Sequence, residues 1–175
     1  MNKKHFFIAV FLLLPLLCLA SDYERKLEAK IFKLVNAERV KYGLKPLKAS
    51  EKLSKIALGH SKDMVIRNYM SHVTPDGLTP NDRAKKAGYN IKKKKQNSTR
   101  IGVGENIAMR QDEMDSNGNI SYYLQPVDKV APLIVEGWMN SPGHRANILN
   151  SDYNLVGTGV AVSKDKKILA TQVFF

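Results

Sequence analysis

The sequence predicts an α+β protein in which helices cover a mainly antiparallel sheet. Three observations indicate this class. Apolar residues recur at helical spacing through the first half, turn-forming residues separate the segments, and two β-branched, strand-like segments close the chain. Helices first and strands last are typical of helices packed on an antiparallel sheet. The 175 residues are enough for one domain with its own core.

The first predicted helix covers about residues 23–42. Leu27, Ile31 and Val35 share one face of this segment, and Gly43 follows as a stop. The connection "KPLKAS" comes next.

Two further helices begin at residues that favour the N-cap position. Ser50 precedes an apolar-faced segment that we expect to end near Asn68. Thr79 precedes a short helix with Pro80 at its first position and Gly88 after its end. The intervening "SHVTPDGLTP" has loop composition.

The second half combines strands with two helices. "IGVGENIAM" predicts a strand after a polar, basic loop, "NIKKKKQNSTR". Apolar spacing around Val130 and Trp138 predicts a helix with Pro132 in its first turn, because an interior proline breaks the hydrogen-bond ladder. Ser141 and Pro142 then fit the N-cap and first residue of a further short helix.

The chain closes with two predicted strands, "LVGTGVAV" and "KILATQVFF", joined by a turn at residues 163–166. Asn117-Gly118 marks a turn or a long loop before the Trp138 helix.

Residues 1–20 have the pattern of a secretory signal peptide. Lys3 and Lys4 precede an apolar run, and Ala20 before Ser21 fits a cleavage site. The run is too short for a transmembrane helix and contains a proline, so we expect residues 21–175 to form one secreted domain without a transmembrane segment. The destination is the medium, the periplasm or the cell surface.

The single cysteine, Cys18, lies inside this segment. Lipid attachment at Cys18 is the less favoured alternative, because Leu17 stands where a small residue is expected. With cleavage after Ala20, the domain has no disulfide and no thiolate metal ligand.

The formal net charge of the chain is +12. Loss of Lys3 and Lys4 with the signal peptide leaves a strongly basic domain, which favours anionic partners. Lys92 to Lys95, with Lys85, Lys86 and Arg100, form a candidate patch or a solvated loop. Nucleic acid is not an expected partner of a secreted protein that lacks an aromatic stacking motif.

Three histidines and one glutamate are candidates for chemistry. His60 shares an apolar helix face with Ile56 and Met64, so we interpret it as structural. His72 lies where a helix gives way to a turn and either binds or caps that helix. Glu105 follows a glycine, which suggests a close approach at this point of the strand.

His144 falls in the first turn of the helix that Ser141 and Pro142 begin. The positive end of the helix dipole favours a neutral ring there, suited to act as a metal ligand or a base. Arg145 points elsewhere and can pair with a carboxylate. Trp138 is interpreted as core.

Several stretches together resemble the CAP superfamily, the cysteine-rich secretory, antigen 5 and pathogenesis-related proteins with SCP-like extracellular domains, and in particular its bacterial branch. The matching stretches, in family order, are "LVNAERVKYGLKPL", "HSKDMVIRNYMSHVTPDG", "RAKKAGY", "VGENIA", "WMNSPGHRANILN" and "VGTGVAV".

The resemblance implies a three-layer α-β-α sandwich with a cleft that contains His72, Glu105 and His144. It implies that these residues can hold a divalent metal such as zinc. Ser141 stands where many eukaryotic members have a second glutamate, and helix geometry directs the nearby Glu136 away from the cleft.

Three functions are open at this stage. The resemblance implies a non-catalytic extracellular binding module, with lipid or sterol binding elsewhere on the domain and a host or cell-surface molecule as a further partner. A metal-dependent hydrolase or peptidase is the second, in which Glu105, His72 and His144 are catalytic, although no HExxH helix is present. The third is a basic adhesin that binds anionic surfaces.

Overall fold

A computed structural model describes residues 14–94, 99–111 and 124–175; side chains are described from residue 22 onward, except that of Arg100. The helices are α1 Leu14–Lys41, α2 Glu51–Ile66, α3 Pro80–Lys86, α4 Val127–Asn140 and α5 Pro142–Ile148. The strands are β1 Lys48–Ala49, β2 Lys92–Lys94, β3 Thr99–Ile101, β4 Gly104–Arg110, β5 Leu155–Val162 and β6 Ile168–Phe174.

The main sheet has the strand order β1-β5-β6-β4. Strand β6 is antiparallel to both of its neighbours, β4 and β5, and the two-residue β1 runs parallel to β5. Helix α2 packs on one face of this sheet, while α1 and α4 pack together on the other. The expected α+β class and the three-layer α-β-α sandwich are therefore confirmed.

Each face of the sheet contributes to its own apolar core. The larger core joins α1 and α4 to strand residues such as Val160 and Phe174. The smaller core joins Leu53 and Ala57 of α2 to Val173. Alternation along β6 thus directs neighbouring side chains to opposite cores, since successive strand residues point to opposite faces.

Two glycines of β5 allow α2 to lie directly against the sheet. A Cβ atom at Gly157 would collide with the backbone of Leu53, and one at Gly159 would collide with the backbone of Leu58. The motif "VGTG" therefore sets the distance between α2 and β5, and through it the position of the segment after α2.

Local signals placed most helix ends correctly. Gly43 ends α1 with a φ of 72°, and Ser50 accepts a hydrogen bond from the amide of Leu53 as the N-cap of α2. Thr79 and Asp82 form a capping box at α3. The turn between β5 and β6 closes with the Lys166 amide bonded to the Ser163 carbonyl.

Three sequence expectations were wrong in detail. Pro132 lies inside α4 rather than in its first turn, because the helix begins at Val127. Val130 and Ala131 are buried, and their apolar contacts outweigh the lost hydrogen bond to a carbonyl near the solvated helix start. Part of the predicted basic loop is the antiparallel ribbon β2–β3, and the predicted connection "KPLKAS" contains β1, since backbone pairing leaves little trace in such short segments.

Some expectations lie outside the described residues. The turn at Asn117-Gly118 and Lys95 are among them, as is most of the predicted signal peptide at residues 1–20. The described backbone from Leu14 continues into α1. No helix in the described parts of the chain is both long and apolar enough to cross a bilayer.

Candidate functional site

His72 lies in the loop between α2 and α3, and several contacts fix that loop. Asp76 binds the Arg67 guanidinium at 2.7 Å and so ties the loop to the end of α2. The Leu78 amide donates to Thr74 Oγ1 at 2.9 Å, and Gly77 takes the positive φ of 85° that the turn requires. The loop is therefore held before any ligand is present.

Glu105 lies on β4 and is almost fully buried, with 2% of its side chain exposed. Its Oε1 accepts a hydrogen bond from His72 Nδ1 at 2.9 Å. Because a carboxylate accepts and does not donate, Nδ1 of His72 carries the proton of this hydrogen bond, and Nε2 is the ring nitrogen left for a ligand.

Arg83 of α3 binds the second oxygen of the Glu105 carboxylate. Its Nη2 donates to Glu105 Oε2 at 2.5 Å. Its Nη1 donates to the backbone carbonyls of His72 at 2.8 Å and Leu78 at 2.9 Å. One guanidinium therefore holds both the acid and the loop that carries His72.

His144 is the third residue of α5, as predicted, with Ser141 at the N-cap position and Pro142 first in the helix. The Ser141 side chain makes no capping hydrogen bond. Burial of the ring, and then the nearby His72, lower the pKa of His144 below its usual value. Both causes favour the neutral imidazole.

Two asparagines join α5 to β4. Asn106 Nδ2 donates to the His144 carbonyl at 3.1 Å, and Asn147 Nδ2 donates to the Glu105 carbonyl at 3.0 Å. The same Asn147 amide group reaches Asn106 Oδ1 at 2.9 Å. The backbone positions of His144 and Glu105 are thus fixed relative to one another.

The close approach predicted at Gly104 is made by the chain itself. A Cβ there would collide with the Tyr153 hydroxyl and the Asn147 amide. The glycine thus makes room for the segment after α5 and for Asn147, which supports Glu105.

The three predicted cleft residues come together. The ring centroids of His72 and His144 are 6.1 Å apart, with the ring planes tilted by 50°. Glu105 is joined to His72 through Oε1 and to Arg83 through Oε2. Within the described residues, no group of three or more His, Cys, Asp or Glu side chains is arranged to hold a metal ion. The three-residue ligand set stays a prediction.

His60 is more buried than the sequence suggested, with 1% exposure. Its Nε2 donates to the Ser71 carbonyl at 3.0 Å and lies 3.9 Å from Glu105 Oε1. Its Nδ1 has no hydrogen-bond partner among the described residues. Burial is the main cause that lowers the pKa of His60. The structural interpretation of His60 fits this environment.

The remaining predicted side chains lie away from the cleft. Trp138 is buried and donates from Nε1 to the Ile107 carbonyl at 2.9 Å, which confirms its role in the core. Arg145 stacks over the Tyr42 ring at 5.0 Å instead of pairing with a described carboxylate. Glu136 lines a groove between α1 and α4, as its helix position predicted.

Three residues that position His72, Glu105 and His144 are not among the candidates that the sequence indicated. Arg83, Asn106 and Asn147 all fall inside the motifs "RAKKAGY", "VGENIA" and "GHRANILN". Their side chains carry no distinctive chemistry, and only the fold brings them against the cleft residues. Position within a motif was the one available signal.

Comparisons with known proteins agree with this fold. The profile of "CAP: Cysteine-rich secretory protein family" matches residues 32–174. "Uncharacterized protein YkwD" of Bacillus subtilis (strain 168) is 38% identical over 136 residues, which are 78% of this chain and 43% of YkwD.

Solved structures share the architecture. An extracellular protein containing a SCP domain from Bacillus anthracis str. Ames superposes with a TM-score of 0.64 at 33% identity, covering 89% of this chain and 42% of that one. An outer surface protein from Borrelia burgdorferi has a TM-score of 0.64 at 18% identity, covering 87% of this chain and 93% of that one, and shows the fold alone.

The chain spans less than half the length of YkwD and of the Bacillus anthracis protein. The profile match nevertheless includes the loop of His72, strand β4 with Glu105, and helix α5 with His144. This chain belongs to the CAP family, the cysteine-rich secretory protein family.

Proposed function

We propose that this chain is an extracellular binding protein whose cleft holds a divalent cation, zinc first, between His72 and His144. The observation that carries the proposal is the pair of imidazoles, 6.1 Å apart between centroids, with one ring tied through Nδ1 to a buried carboxylate. A carboxylate that orients a histidine in this way favours a metal on the other ring nitrogen.

The donor set fits such an ion. Imidazole nitrogen is a preferred ligand of zinc at about 2.0–2.1 Å, and two rings at this separation can approach one ion from two sides. The lowered pKa of His144 keeps its nitrogen unprotonated near neutral pH. When bound, the ion would supply a Lewis-acid centre with positions left for water or an external ligand.

Binding is favoured over hydrolysis by the state of Glu105. Both its oxygens accept hydrogen bonds from His72 and Arg83, so the carboxylate is engaged as an acceptor and is not directed at a water in the cleft. A general base must reach the proton that it removes. The hydrolase alternative therefore requires Glu105 to turn at least one oxygen from its partner toward the cleft.

Zinc titration by calorimetry on the full chain tests the proposal. We expect one-to-one binding that is lost in the His72→Ala/His144→Ala variant. Glu136→Gln is the matched control, because it removes an acid near in sequence that faces the α1–α4 groove. Equal binding by the wild type and the double variant would remove the cleft as the metal site.

A second candidate function is supported by the α1–α4 groove, which has a volume of about 640 Å³. Leu34, Val135 and Met139 give it apolar walls, and its charged lining is mixed, with Lys41 and Arg145 beside Glu38 and Glu136. Apolar walls with a mixed charged lining suit an amphipathic lipid with a polar head. Ala37→Arg puts a long charged side chain in the groove. This variant should no longer bind a fluorescent fatty acid, and its zinc binding should be unchanged.

A further inference from the structure

A row of four side chains runs across the surface between α2 and the β2–β3 ribbon. Lys52 Nζ lies 5.9 Å from the centroid of the Tyr89 ring. Tyr89 meets Phe175 edge to face at 5.3 Å between centroids. Lys93 Nζ lies 5.7 Å from the centroid of Phe175. We call these four residues the lysine–aromatic row.

Both ammonium groups of the row are fixed in place. Lys52 Nζ donates to the Gly88 carbonyl at 2.6 Å. Lys93 Nζ donates to the Asp152 carbonyl at 2.8 Å and to Asn154 Oδ1 at 2.9 Å. An ammonium has three donors, so each lysine keeps at least one donor free. Charges that are already ordered lose little side-chain entropy when a ligand binds.

Neither ammonium forms an ion pair with an acidic side chain of the described residues. Among the described ion pairs, none involves Lys52 or Lys93. Glu51, the acid next to Lys52 in sequence, pairs with Lys55 at 2.6 Å. Asp152, whose backbone carbonyl accepts from Lys93, has further interactions of its own. The row therefore presents two ordered positive charges on either side of two aromatic rings.

From this arrangement we infer that the lysine–aromatic row is a binding site for a negatively charged saccharide polymer. Sugar rings have C–H faces that pack on aromatic side chains, and their carboxylate or phosphate substituents pair with lysine. The strongly basic chain would draw such a polymer in by long-range attraction. None of the four residues contacts His72 or His144, so this site is independent of the cleft.

The surroundings of the row favour a saccharide over a membrane surface. Tyr89 and Phe175 are half-buried and pack on the smaller core, so neither projects far enough to enter a bilayer. Ile101, an exposed aliphatic residue of the ribbon, pairs with Lys92 and so points to the side opposite Lys93. Membrane-surface binding needs an apolar face beside the basic one.

Polygalacturonate is a suitable probe, with neutral dextran as the uncharged saccharide and polyphosphate as the charged polymer without sugar. We expect the full chain to bind polygalacturonate, to ignore dextran and to release polygalacturonate at high salt. Lys52→Met/Lys93→Met keeps the alkyl packing and removes both charges, and it should bind about tenfold more weakly. Lys33→Met/Lys129→Met removes the same charge from α1 and α4 and should bind like the wild type.

The ring is tested separately by Tyr89→Leu. This change should weaken polygalacturonate binding several-fold and leave polyphosphate binding unchanged, because only the sugar uses the aromatic face.

Equal losses in the two lysine double variants would overturn the site, since they would indicate general charge attraction. Equal losses of both polymers in Tyr89→Leu, or tighter binding to phosphatidylglycerol vesicles than to polygalacturonate, would overturn the saccharide assignment. Melting temperatures identify any variant that fails to fold, and Lys52→Met alone then replaces the double variant.

Discussion

The Arg83 guanidinium donates to Glu105 Oε2 at 2.5 Å, and this pair is the electrostatic centre of the cleft. Only 10% of the Arg83 side chain and 2% of the Glu105 side chain are exposed. The same guanidinium holds the His72 carbonyl, so acid, loop and histidine share one anchor. Arg83 neutralises the negative charge of Glu105, so this carboxylate has its counter-charge without a metal ion. A metal ion bound in the cleft would therefore keep its own positive charge.

Removal of Arg83 should therefore be costly. Arg83→Met leaves a buried carboxylate without its counter-charge, and we expect the free energy of unfolding to fall by about 3 kcal/mol. Arg83→Met/Glu105→Gln should recover part of this loss, because no unpaired charge is then buried. Denaturant unfolding of these two variants, of the single variant Glu105→Gln and of the wild type closes a double-mutant cycle.

Arg67 provides the matched control for this cycle. It pairs with two acids, Asp63 and Asp76, but about a third of its side chain is exposed. Arg67→Met should cost less than about 1 kcal/mol, as solvent-screened pairs do. Similar costs for Arg67→Met and Arg83→Met would contradict the central role given to the Arg83–Glu105 pair.

The cleft shows how far the sequence could predict this site. His72, Glu105 and His144 carry chemistry that is recognisable in the sequence, and in the structure they lie close together, while their role stays a prediction. In the sequence, Arg83 cannot be distinguished from the nearby cations Lys85 and Lys86. In the structure, those two lysines are exposed, whereas Arg83 is not. Its burial depends on how α3 packs against α2 and so brings Arg83 to Glu105 of β4, which no local pattern encodes.

The fold was predictable where local rules act alone. Helix caps at Ser50 and Thr79 and the stop at Gly43 follow from side-chain and backbone preferences. Pro132 was placed wrongly because tertiary burial of α4 overrides a local preference. The parallel pairing of β1 with β5 joins residues about a hundred positions apart, and two residues give no periodicity to read.

The pH dependence of stability should show a contribution from His60. Burial lowers the pKa of this ring in the folded state, while the unfolded chain keeps the ordinary value of about 6.5. The unfolded state therefore takes up the proton first as the pH falls. Stability should decrease from about pH 6.5 downward, until the pH passes the folded-state pKa.

Denaturant unfolding between pH 8 and pH 5 measures this decrease. His60→Gln removes the titrating group and should give a shallower slope below pH 6.5, although its stability at pH 8 is lower. An NMR titration of the His60 ring supplies the second check. A ring that takes its proton above pH 6.5 in the folded protein would show that burial does not control this histidine.

The contact between α2 and β5 predicts a strong effect at Gly159. A methyl group there meets the backbone of Ala57 and Leu58, which cannot turn aside as a flexible side chain can. We expect Gly159→Ala to lower the free energy of unfolding by about 3 kcal/mol. Gly137→Ala is the control, because it lies in α4 with open space around its Cβ position and should stabilise by up to about 1 kcal/mol. A tolerated Gly159→Ala would mean that α2 can move off the sheet.

Arg39 is the buried link between α1 and the segment that follows α5. Its guanidinium donates to the backbone carbonyls of Lys45, Ile148, Asn150 and Tyr153. All four acceptors are neutral carbonyls and supply no counter-charge. Burial therefore lowers the pKa of Arg39. The ammonium group of lysine cannot make these four hydrogen bonds, because its donors all lie on one nitrogen.

Arg39→Lys should therefore cost about 2–3 kcal/mol in denaturant unfolding, since carbonyls that were bonded to a charged donor lose their partners. Amide hydrogen exchange should rise most in α5, because the Ile148 carbonyl at its end is among the released acceptors. Arg145→Lys, on the exposed face of the same helix, keeps its charge over Tyr42 and should change stability by less than about 1 kcal/mol. If exchange in α5 stays at the wild-type rate in Arg39→Lys, α1 does not hold the helix that presents His144, and the asparagine bonds to β4 carry that role alone.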